Sequence, residues 1–301
     1  MSAPPRLECF GTGFRNPILL AAGTAGFGRE VAGVIDLAAL GGLVTKAVSP
    51  EPRHGNPSPR VAETRGAMLN SVGLANPGLD VVKREALPWL REHFARLPVI
   101  VNVVGHTVAD FVAVVRGLAQ EQGVTAFELN VSCPNVEKGG AEFGADEAIL
   151  TDLVRRARQA TDRPLIVKLS PALSDHARIA TAAAQAGADG FTCVNTLPAL
   201  LYDEGGTHGA RLGAGPGGLS GPPLLPIGVR VTRIVSKATG RPVIGAGGVR
   251  TGRDAWQYLA AGASLVAVGT AALADPRAPE RIARELAGIL ADEGGVRAGA
   301  A

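Results

Sequence analysis

Short apolar runs alternate with longer amphipathic stretches from residue 18 to the end of the chain. The short runs predict eight strands, at 18–22, 43–48, 99–104, 126–131, 164–169, 190–195, 242–246 and 264–269. In the longer stretches apolar residues recur every three or four positions, which predicts helices, among them those over 78–97, 107–122, 146–161, 175–187, 226–239, 253–262 and 280–292. We interpret the pattern as eight consecutive strand–helix units.

Eight such units predict an α/β fold of the (β/α)8 TIM-barrel type rather than a six-stranded open sheet. No linker or repeat divides the chain, so we expect residues 1–301 to form a single barrel domain. The segment 7–17 predicts a hairpin that closes the bottom of the barrel, with a structural role for Cys9. Two insertions, 49–76 and 197–219, predict long loops at the C-terminal face, where such enzymes place substrate lids.

The composition narrows the class of protein. With 46% hydrophobic and 19% charged residues the chain can bury a sizeable core. Its 30 Lys and Arg against 27 Asp and Glu are dispersed, which does not indicate a nucleic-acid partner. The three cysteines have no CxxC spacing, so neither a disulfide framework nor a cysteine zinc site is predicted. Without a signal sequence or a run of roughly 18–20 apolar residues, we expect a cytoplasmic protein and no membrane segment.

Polar residues at the ends of the predicted strands indicate where the chemistry lies. Barrel active sites are assembled from different strands at the C-terminal face. A lysine within an apolar run would be costly to bury without a partner, so each one there should face an anionic or electron-rich ligand. The residues in question are Lys46, Asn102, Asn130, Lys168 and Asn195.

Two glycine-rich turns, 245–249 and 268–271, follow the last two predicted strands. In this fold such turns commonly hold a phosphate through backbone N–H groups. We therefore expect Gly247, Gly248, Gly269 and Thr270 around a phosphate, although turns of this kind also simply permit tight strand–helix connections.

The segment ELNVSCPNVEKGGAEFG, 128–144, contains the candidate catalytic base. Cys133 follows a predicted strand, and a thiolate at that face can remove a proton from carbon. An inert buried cysteine is the alternative, but the position above the barrel favours a function. His208 is interpreted as a solvated loop residue, and none of the five histidines has the spacing of a metal site.

These motifs together resemble the dihydroorotate dehydrogenases of class 1. The runs VTKAVSPEPRHGNPSPR, MLNSVGLANPGLD, ELNVSCPN, VKLSP, VNTL, GGLSGPP, GAGGV and VGTAAL follow the family's order and spacing over almost the whole chain. The form of EPRxGNPxPRxxE and MLNxxGLxNPG most resembles class 1B, whose catalytic chain pairs with an electron-transferring subunit. Class 2 enzymes have serine where this chain has Cys133.

The resemblance implies oxidation of dihydroorotate to orotate in pyrimidine biosynthesis. FMN would take the hydride from C6 while Cys133 takes the proton from C5. The implied FMN contacts are Ala22, Lys46, Ala47, Asn102, Asn130, Lys168, Val194, Gly221, Gly247, Gly248, Gly269 and Thr270. The implied substrate contacts are Lys46, Asn70, Ser71, Val72, Gly73, Leu74, Asn130, Asn135, Asn195 and Thr196. Ala22, where the family often has serine, and the insertion 197–219 depart from the family pattern.

The implied assembly is a homodimer of this chain with an FAD and [2Fe–2S] electron-transfer subunit, forming a heterotetramer. Three cysteines cannot supply the four thiolates of a cluster, and no strand–GxGxxG–helix unit is present for a dinucleotide. We therefore expect electrons to leave FMN through another protein, with a fumarate-using class 1A enzyme as the alternative.

Three other functions are compatible with parts of the pattern. A dihydropyrimidine dehydrogenase-like enzyme shares the NxSCP motif but acts on neutral uracil-type rings. An aldolase or isomerase could use the same phosphate turns with a Schiff-base lysine, and would be colourless. A barrel that binds flavin without turnover is the third, which the presence of Cys133 and of the four asparagines disfavours.

Overall fold

The computed structural model of the chain contains a closed barrel of eight parallel strands. It describes residues 7–132, 143–203 and 209–299, with the last seven described by their backbone alone. The strands in chain order are β1 (Leu7–Cys9), β2 (Thr12–Phe14), β3 (Ile18–Leu20), β4 (Gly42–Val44), β5 (Val61–Thr64), β6 (Ala67–Asn70), β7 (Val99–Val103), β8 (Val124–Asn130), β9 (Leu165–Leu169), β10 (Gly190–Cys193), β11 (Leu197–Ala199), β12 (Gly217–Ser220), β13 (Val243–Ala246) and β14 (Leu265–Val268). The barrel runs β3, β4, β7, β8, β9, β10, β13, β14 and closes back on β3, which confirms the eight predicted strands.

Helices cover the outside of the barrel. They are α1 (Leu79–Val81), α2 (Leu87–His93), α3 (Val108–Leu118), α4 (Glu147–Arg158), α5 (His176–Ala186), α6 (Leu225–Thr239), α7 (Gly252–Ala260), α8 (Thr270–Ala274) and α9 (Ala278–Gly299), with a π-helical segment, Val82–Ala86, joining α1 to α2. Within the described residues no helix is long and apolar enough to cross a membrane.

The first strand–helix unit departs from the predicted alternation. Between β3 and β4 the chain forms turns and a short 3-10 helix, Leu37–Ala39. Gly23, Gly26 and Gly28 all have positive φ in this segment, a backbone conformation that an α-helix cannot contain. The barrel is therefore closed by eight strands with an irregular first connection.

Reciprocal caps fix the start of two helices that follow barrel strands. In α3 the Thr107 hydroxyl accepts a hydrogen bond from the Asp110 amide while the Asp110 carboxylate accepts one from the Thr107 amide. Thr251 and Asp254 form the same capping box at α7. Each cap contributes about 1 kcal/mol and sets the direction in which the chain leaves the preceding turn.

The predicted N-terminal hairpin closes the bottom of the barrel. β1 and β2 pair antiparallel, and Cys9 and Phe14 belong to a cluster of buried residues that includes Leu19, Val44 and Leu265. The Phe10 ring lies beside Gly190, the first residue of β10. Burial raises the pKa of the Cys9 thiol to about 11. Cys9 therefore lies at the end opposite the C-terminal face, in the structural position expected of it.

The two insertions contain short strands that the sequence does not predict. β5 and β6 from the first insertion and β11 and β12 from the second form a four-stranded antiparallel sheet in the order β11, β12, β6, β5. The pairing of Gly218 with Asn70 joins the two insertions. These strands are three or four residues long and partly glycine-rich, so they lack the apolar alternation that identifies a strand locally.

Candidate active site

A polar layer lies inside the barrel above its apolar floor. Four side chains from adjacent strands form it, and we call them the Glu128 network: Asn102 on β7, Glu128 on β8, Lys168 on β9 and Thr192 on β10. All four are buried, and Glu128 is 1% exposed. Glu128 accepts hydrogen bonds from Asn102 Nδ2 at 2.7 Å and from Thr192 Oγ1 at 2.6 Å. The Lys168 ammonium lies 3.7 Å from Glu128 Oε1.

The negative partner of Lys168 is Glu128, a residue of the protein itself. The cost of burying a lysine indicates a negative partner, and the protein itself supplies one. A separation of 3.7 Å is an ion pair but too long for a good hydrogen bond. Within the described part of the chain Lys168 Nζ has no hydrogen-bond acceptor, so its N–H groups remain available to a ligand.

Asn102 supplies the matching acceptor. Its Oδ1 is buried and has no hydrogen-bond partner among the described residues, while its Nδ2 is held by Glu128. A buried polar atom without a partner is costly in a folded protein. The Glu128 network thus presents both a cationic donor and a neutral acceptor, as a heteroaromatic ring with alternating N–H and C=O groups would require.

A second polar cluster lies where the four-stranded sheet meets the barrel. Asn195 Nδ2 donates to Asn130 Oδ1 at 3.1 Å, and Asn195 Oδ1 accepts from the Thr196 amide at 2.9 Å. Asn70 Nδ2 donates to the Gly218 carbonyl at 3.3 Å. A Cβ atom on Gly218 would overlap the Thr196 side chain, so glycine is required there. The structure therefore brings four predicted substrate contacts into one region.

The glycine turn after β13 is organised by a buried tyrosine. The Tyr258 hydroxyl contacts the carbonyls of Ala246 at 2.9 Å and Gly247 at 2.7 Å. Gly247 and Gly248 both have positive φ, and Gly248 packs against Leu225 at the start of α6. Among the described residues the amides of Gly247 and Gly248 have no backbone acceptor. Two free N–H groups beside a helix N-terminus suit an anion such as a phosphate.

The other predicted contacts lie around these clusters. Thr270 Oγ1 donates to Ser220 Oγ at 2.8 Å, which ties the turn after β14 to β12, next to Gly221. Half-buried Lys46 follows β4 and donates its amide to the Gly26 carbonyl. The irregular segment 71–74 is held by Asn56, whose side-chain amide donates to the carbonyl and hydroxyl of Ser71. Ala22 and Gly269 follow β3 and β14, Ala47 lies beyond β4, and Val194 follows β10.

Three residues of the sequence-based interpretation, Cys133, Asn135 and His208, lie outside the described residues. The other two cysteines are both buried. Burial raises the pKa of the Cys193 thiol strongly, as it does for Cys9, so neither is a ready source of thiolate. Within the described residues no group of His, Cys, Asp and Glu side chains could hold a metal ion.

The sequence reasoning missed Glu128, Thr192 and Tyr258. Glu128 could have been identified from the sequence. It is a glutamate within an apolar strand, and because it lies two residues before Asn130, the two side chains must lie on the same face of the sheet. Thr192 and Tyr258 carried none, since their importance depends on partners from other strands and turns.

A closed parallel α/β barrel with buried polar side chains in its interior and glycine turns at its C-terminal face is typical of TIM-barrel enzymes that bind a phosphorylated ligand at that face. The family model for dihydroorotate dehydrogenase matches residues 6–290. The chain is 46% identical over 288 residues to the dihydroorotate dehydrogenase B (NAD(+)) catalytic subunit of Geobacillus kaustophilus, covering 96% of this chain and 91% of the relative. It is 47% identical to the protein of that name from Cutibacterium acnes, covering 94% and 92% of the two chains. For Bacillus thuringiensis the identity is 45%, covering 96% and 93%.

The chain belongs to the dihydroorotate dehydrogenase family. The prediction of a flavin-dependent oxidoreductase of class 1B is thereby confirmed, and the alternative that reduces uracil-type rings is not favoured.

Proposed function

We propose that this chain oxidises dihydroorotate to orotate on FMN, with Cys133 as the base, inside one barrel domain formed by residues 1–301. The observation that carries the proposal is the Glu128 network. In this member of the dihydroorotate dehydrogenase family, the N–H groups of Lys168 and the Oδ1 atom of Asn102 lie inside the barrel without a hydrogen-bond partner among the described residues. When bound, FMN supplies the acceptor for the hydride that leaves C6 of the substrate.

The residues fit FMN at both of its ends. The free amides of Gly247 and Gly248, beside the start of α6, suit its single phosphate, and Lys168 suits the N1/O2 edge, where negative charge accumulates on reduction. A dinucleotide such as FAD would need a second nucleotide-binding unit. The remaining FMN contacts of the proposal are Ala22, Lys46, Ala47, Asn102, Asn130, Val194, Gly221, Gly269 and Thr270.

Amide side chains would hold the substrate ring. Asn195 donates to Asn130 Oδ1, so the Nδ2 group of Asn130 is left to donate to a ring carbonyl. Lys46 would face the substrate carboxylate. Asn70, Ser71, Val72, Gly73, Leu74, Asn135, Asn195 and Thr196 complete the proposed substrate contacts.

The proton that leaves C5 would go to the Cys133 thiolate, and the pair of electrons that leaves with hydrogen from C6 would go to the flavin. A carbon–carbon double bond forms between C5 and C6, so atoms and electrons balance. The burial of Cys9 and Cys193 supports this assignment, since it leaves Cys133 as the cysteine suited to proton transfer.

For reoxidation we propose a partner subunit that carries FAD and a [2Fe–2S] cluster, joined to a homodimer of this chain in a heterotetramer. The relatives are named catalytic subunits of NAD(+) enzymes, which supports a partner that passes electrons to NAD.

Variants of Cys133 test the assignment of the base. Cys133→Ala should keep FMN and orotate binding but reduce the rate of flavin reduction by dihydroorotate by on the order of 10²-fold or more, the usual contribution of a general base. Cys133→Ser should keep some activity, with its optimum moved to higher pH because a hydroxyl ionises less readily. Cys9→Ala is the matched control and should reduce flavin at the wild-type rate. Wild-type kinetics in Cys133→Ala would assign the base to another residue.

A further inference from the structure

The barrel interior contains a buried carboxylate to which the proposed reaction gives no part. Glu128 neither touches the glycine turns nor belongs to the amide cluster around Asn130 and Asn195. It receives hydrogen bonds from Asn102 and Thr192 and the charge of Lys168, all from neighbouring strands. Every one of these contacts brings a hydrogen-bond donor or a positive charge to the Glu128 oxygens.

Stability alone does not explain a carboxylate at this position. The layer below is filled by apolar side chains such as Ile100, Ala126 and Ile166. Replacing a buried ion pair by well-packed apolar residues is often neutral or stabilising, because desolvation offsets the attraction. A charged pair inside an apolar barrel is therefore better explained by what it does to a ligand above it.

The geometry gives Glu128 two effects on the ligand space. By accepting from Asn102 Nδ2, it fixes the orientation of that amide, so Oδ1 and not Nδ2 is the free atom. By lying 3.7 Å from Lys168 Nζ, it balances the ammonium charge without occupying its N–H groups in a short hydrogen bond. The Asn102 atom that is free for a ligand and the net charge around Lys168 thus both depend on Glu128.

We propose that Glu128 is a positioning residue that orients Asn102 and Lys168 toward the flavin and holds the flavin's reduction potential down by balancing the lysine charge. The proposal rests on the proposed function, since it requires a flavin next to Lys168. Removing the negative charge leaves the ammonium uncompensated, which favours the reduced flavin.

The test compares Glu128→Gln with Asp189→Asn. Asp189 also forms an ion pair, with Arg158 at 2.8 Å, but it is partly exposed and precedes β10 at the end of the strand opposite the ligand face, so its variant removes one carboxylate charge outside the Glu128 network. Each protein is loaded with FMN, and the ratio of reduced to oxidised flavin is read spectroscopically in equilibrium with a redox dye. In Glu128→Gln we expect the ratio at a fixed ambient potential to rise about tenfold, which is about 30 mV for a two-electron couple. In Asp189→Asn we expect it to stay within about twofold of wild type, a change of less than 10 mV on the same scale.

Glu128→Asp gives a second, independent reading. It retains the charge but is shorter by one methylene group, so the ratio should stay within about threefold of wild type, or about 15 mV. FMN affinity should nevertheless fall, because the shorter side chain weakens the hydrogen bond that orients Asn102. A flavin-loaded Glu128→Gln protein with the wild-type ratio would overturn the proposal while leaving the proposed function intact. So would failure of both Glu128 variants to fold, since that would make Glu128 a folding residue. A wild-type protein that binds no flavin would overturn both.

Discussion

Replacing Tyr258 by phenylalanine removes one oxygen atom from beneath the proposed phosphate site. The Tyr258 side chain is fully buried, and its hydroxyl contacts the carbonyls of Ala246 and Gly247. The Ala246 carbonyl keeps a second partner in Tyr258→Phe, because it also accepts from the Val194 amide at 2.8 Å. The Gly247 carbonyl loses its only side-chain donor among the described residues.

The expected loss in the free energy of unfolding comes from the Gly247 carbonyl, which is the one left without a donor. A buried carbonyl left without its donor costs about 1–3 kcal/mol, and Gly247 is only half-buried, so about 1–2 kcal/mol is expected. For a chain of this length that loss lowers the melting temperature by about 2–3 °C. Binding of FMN must then order the loosened turn around the phosphate. If this ordering costs about 1 kcal/mol of binding free energy, FMN affinity falls about fivefold.

The assay is urea unfolding of the flavin-free protein together with fluorescence titration by FMN. The chain has one other tyrosine, Tyr202, which is 61% exposed and lies in the second insertion. Tyr202→Phe is the matched control and should change the free energy of unfolding by less than about 0.5 kcal/mol. If Tyr258→Phe were indistinguishable from Tyr202→Phe in both stability and FMN affinity, the argument that Tyr258 organises the turn would be wrong.

Three further outcomes are expected. Flavin released from the purified protein by denaturation should be FMN and not FAD, which chromatography against standards decides; release of FAD would contradict a single phosphate site. The isolated chain should reduce neither NAD nor fumarate efficiently, and should gain NAD reduction on co-expression with an electron-transfer subunit; rapid turnover of either acceptor by the chain alone would remove the need for a partner. Burial lowers the pKa of His176 below its ordinary value of 6.5, so the unfolded chain binds the proton more tightly and stability should be lost as pH falls below 6.5. In unfolding titrations His176→Gln should remove this part of the pH dependence, whereas His106→Gln, at an exposed position, should keep it. Equal slopes of unfolding free energy against pH in the two variants would contradict the assignment to His176.

Much of the fold could be predicted because its determinants are local. Each barrel strand is a short apolar run, and the amphipathic stretches between them identify most of the helices. The antiparallel sheet could not be predicted in this way, because Asn70 pairs with Gly218 across 148 residues and neither strand carries an apolar alternation. The irregular first unit follows from glycines whose positive φ only the folded chain reveals.

The candidate site could be predicted only as a set of residue types. Lys168 and Asn102 stand out in the sequence as polar residues at strand ends, but their shared partner Glu128 depends on the register of three adjacent strands. Tyr258 depends on how α7 packs beneath the turn after β13. Such contacts are set by tertiary packing, which no local pattern encodes.

The proposed function requires that this barrel transfer hydride from dihydroorotate to its own flavin. Anaerobic mixing of the flavin-loaded chain with dihydroorotate, and in parallel with dihydrouracil, tests it without any partner or acceptor. We expect dihydroorotate to bleach the visible absorbance of the oxidised flavin rapidly, and dihydrouracil, which lacks the carboxylate, to do so far more slowly. Flavin that dithionite reduces but dihydroorotate leaves oxidised, or equal rates with both compounds, would contradict it.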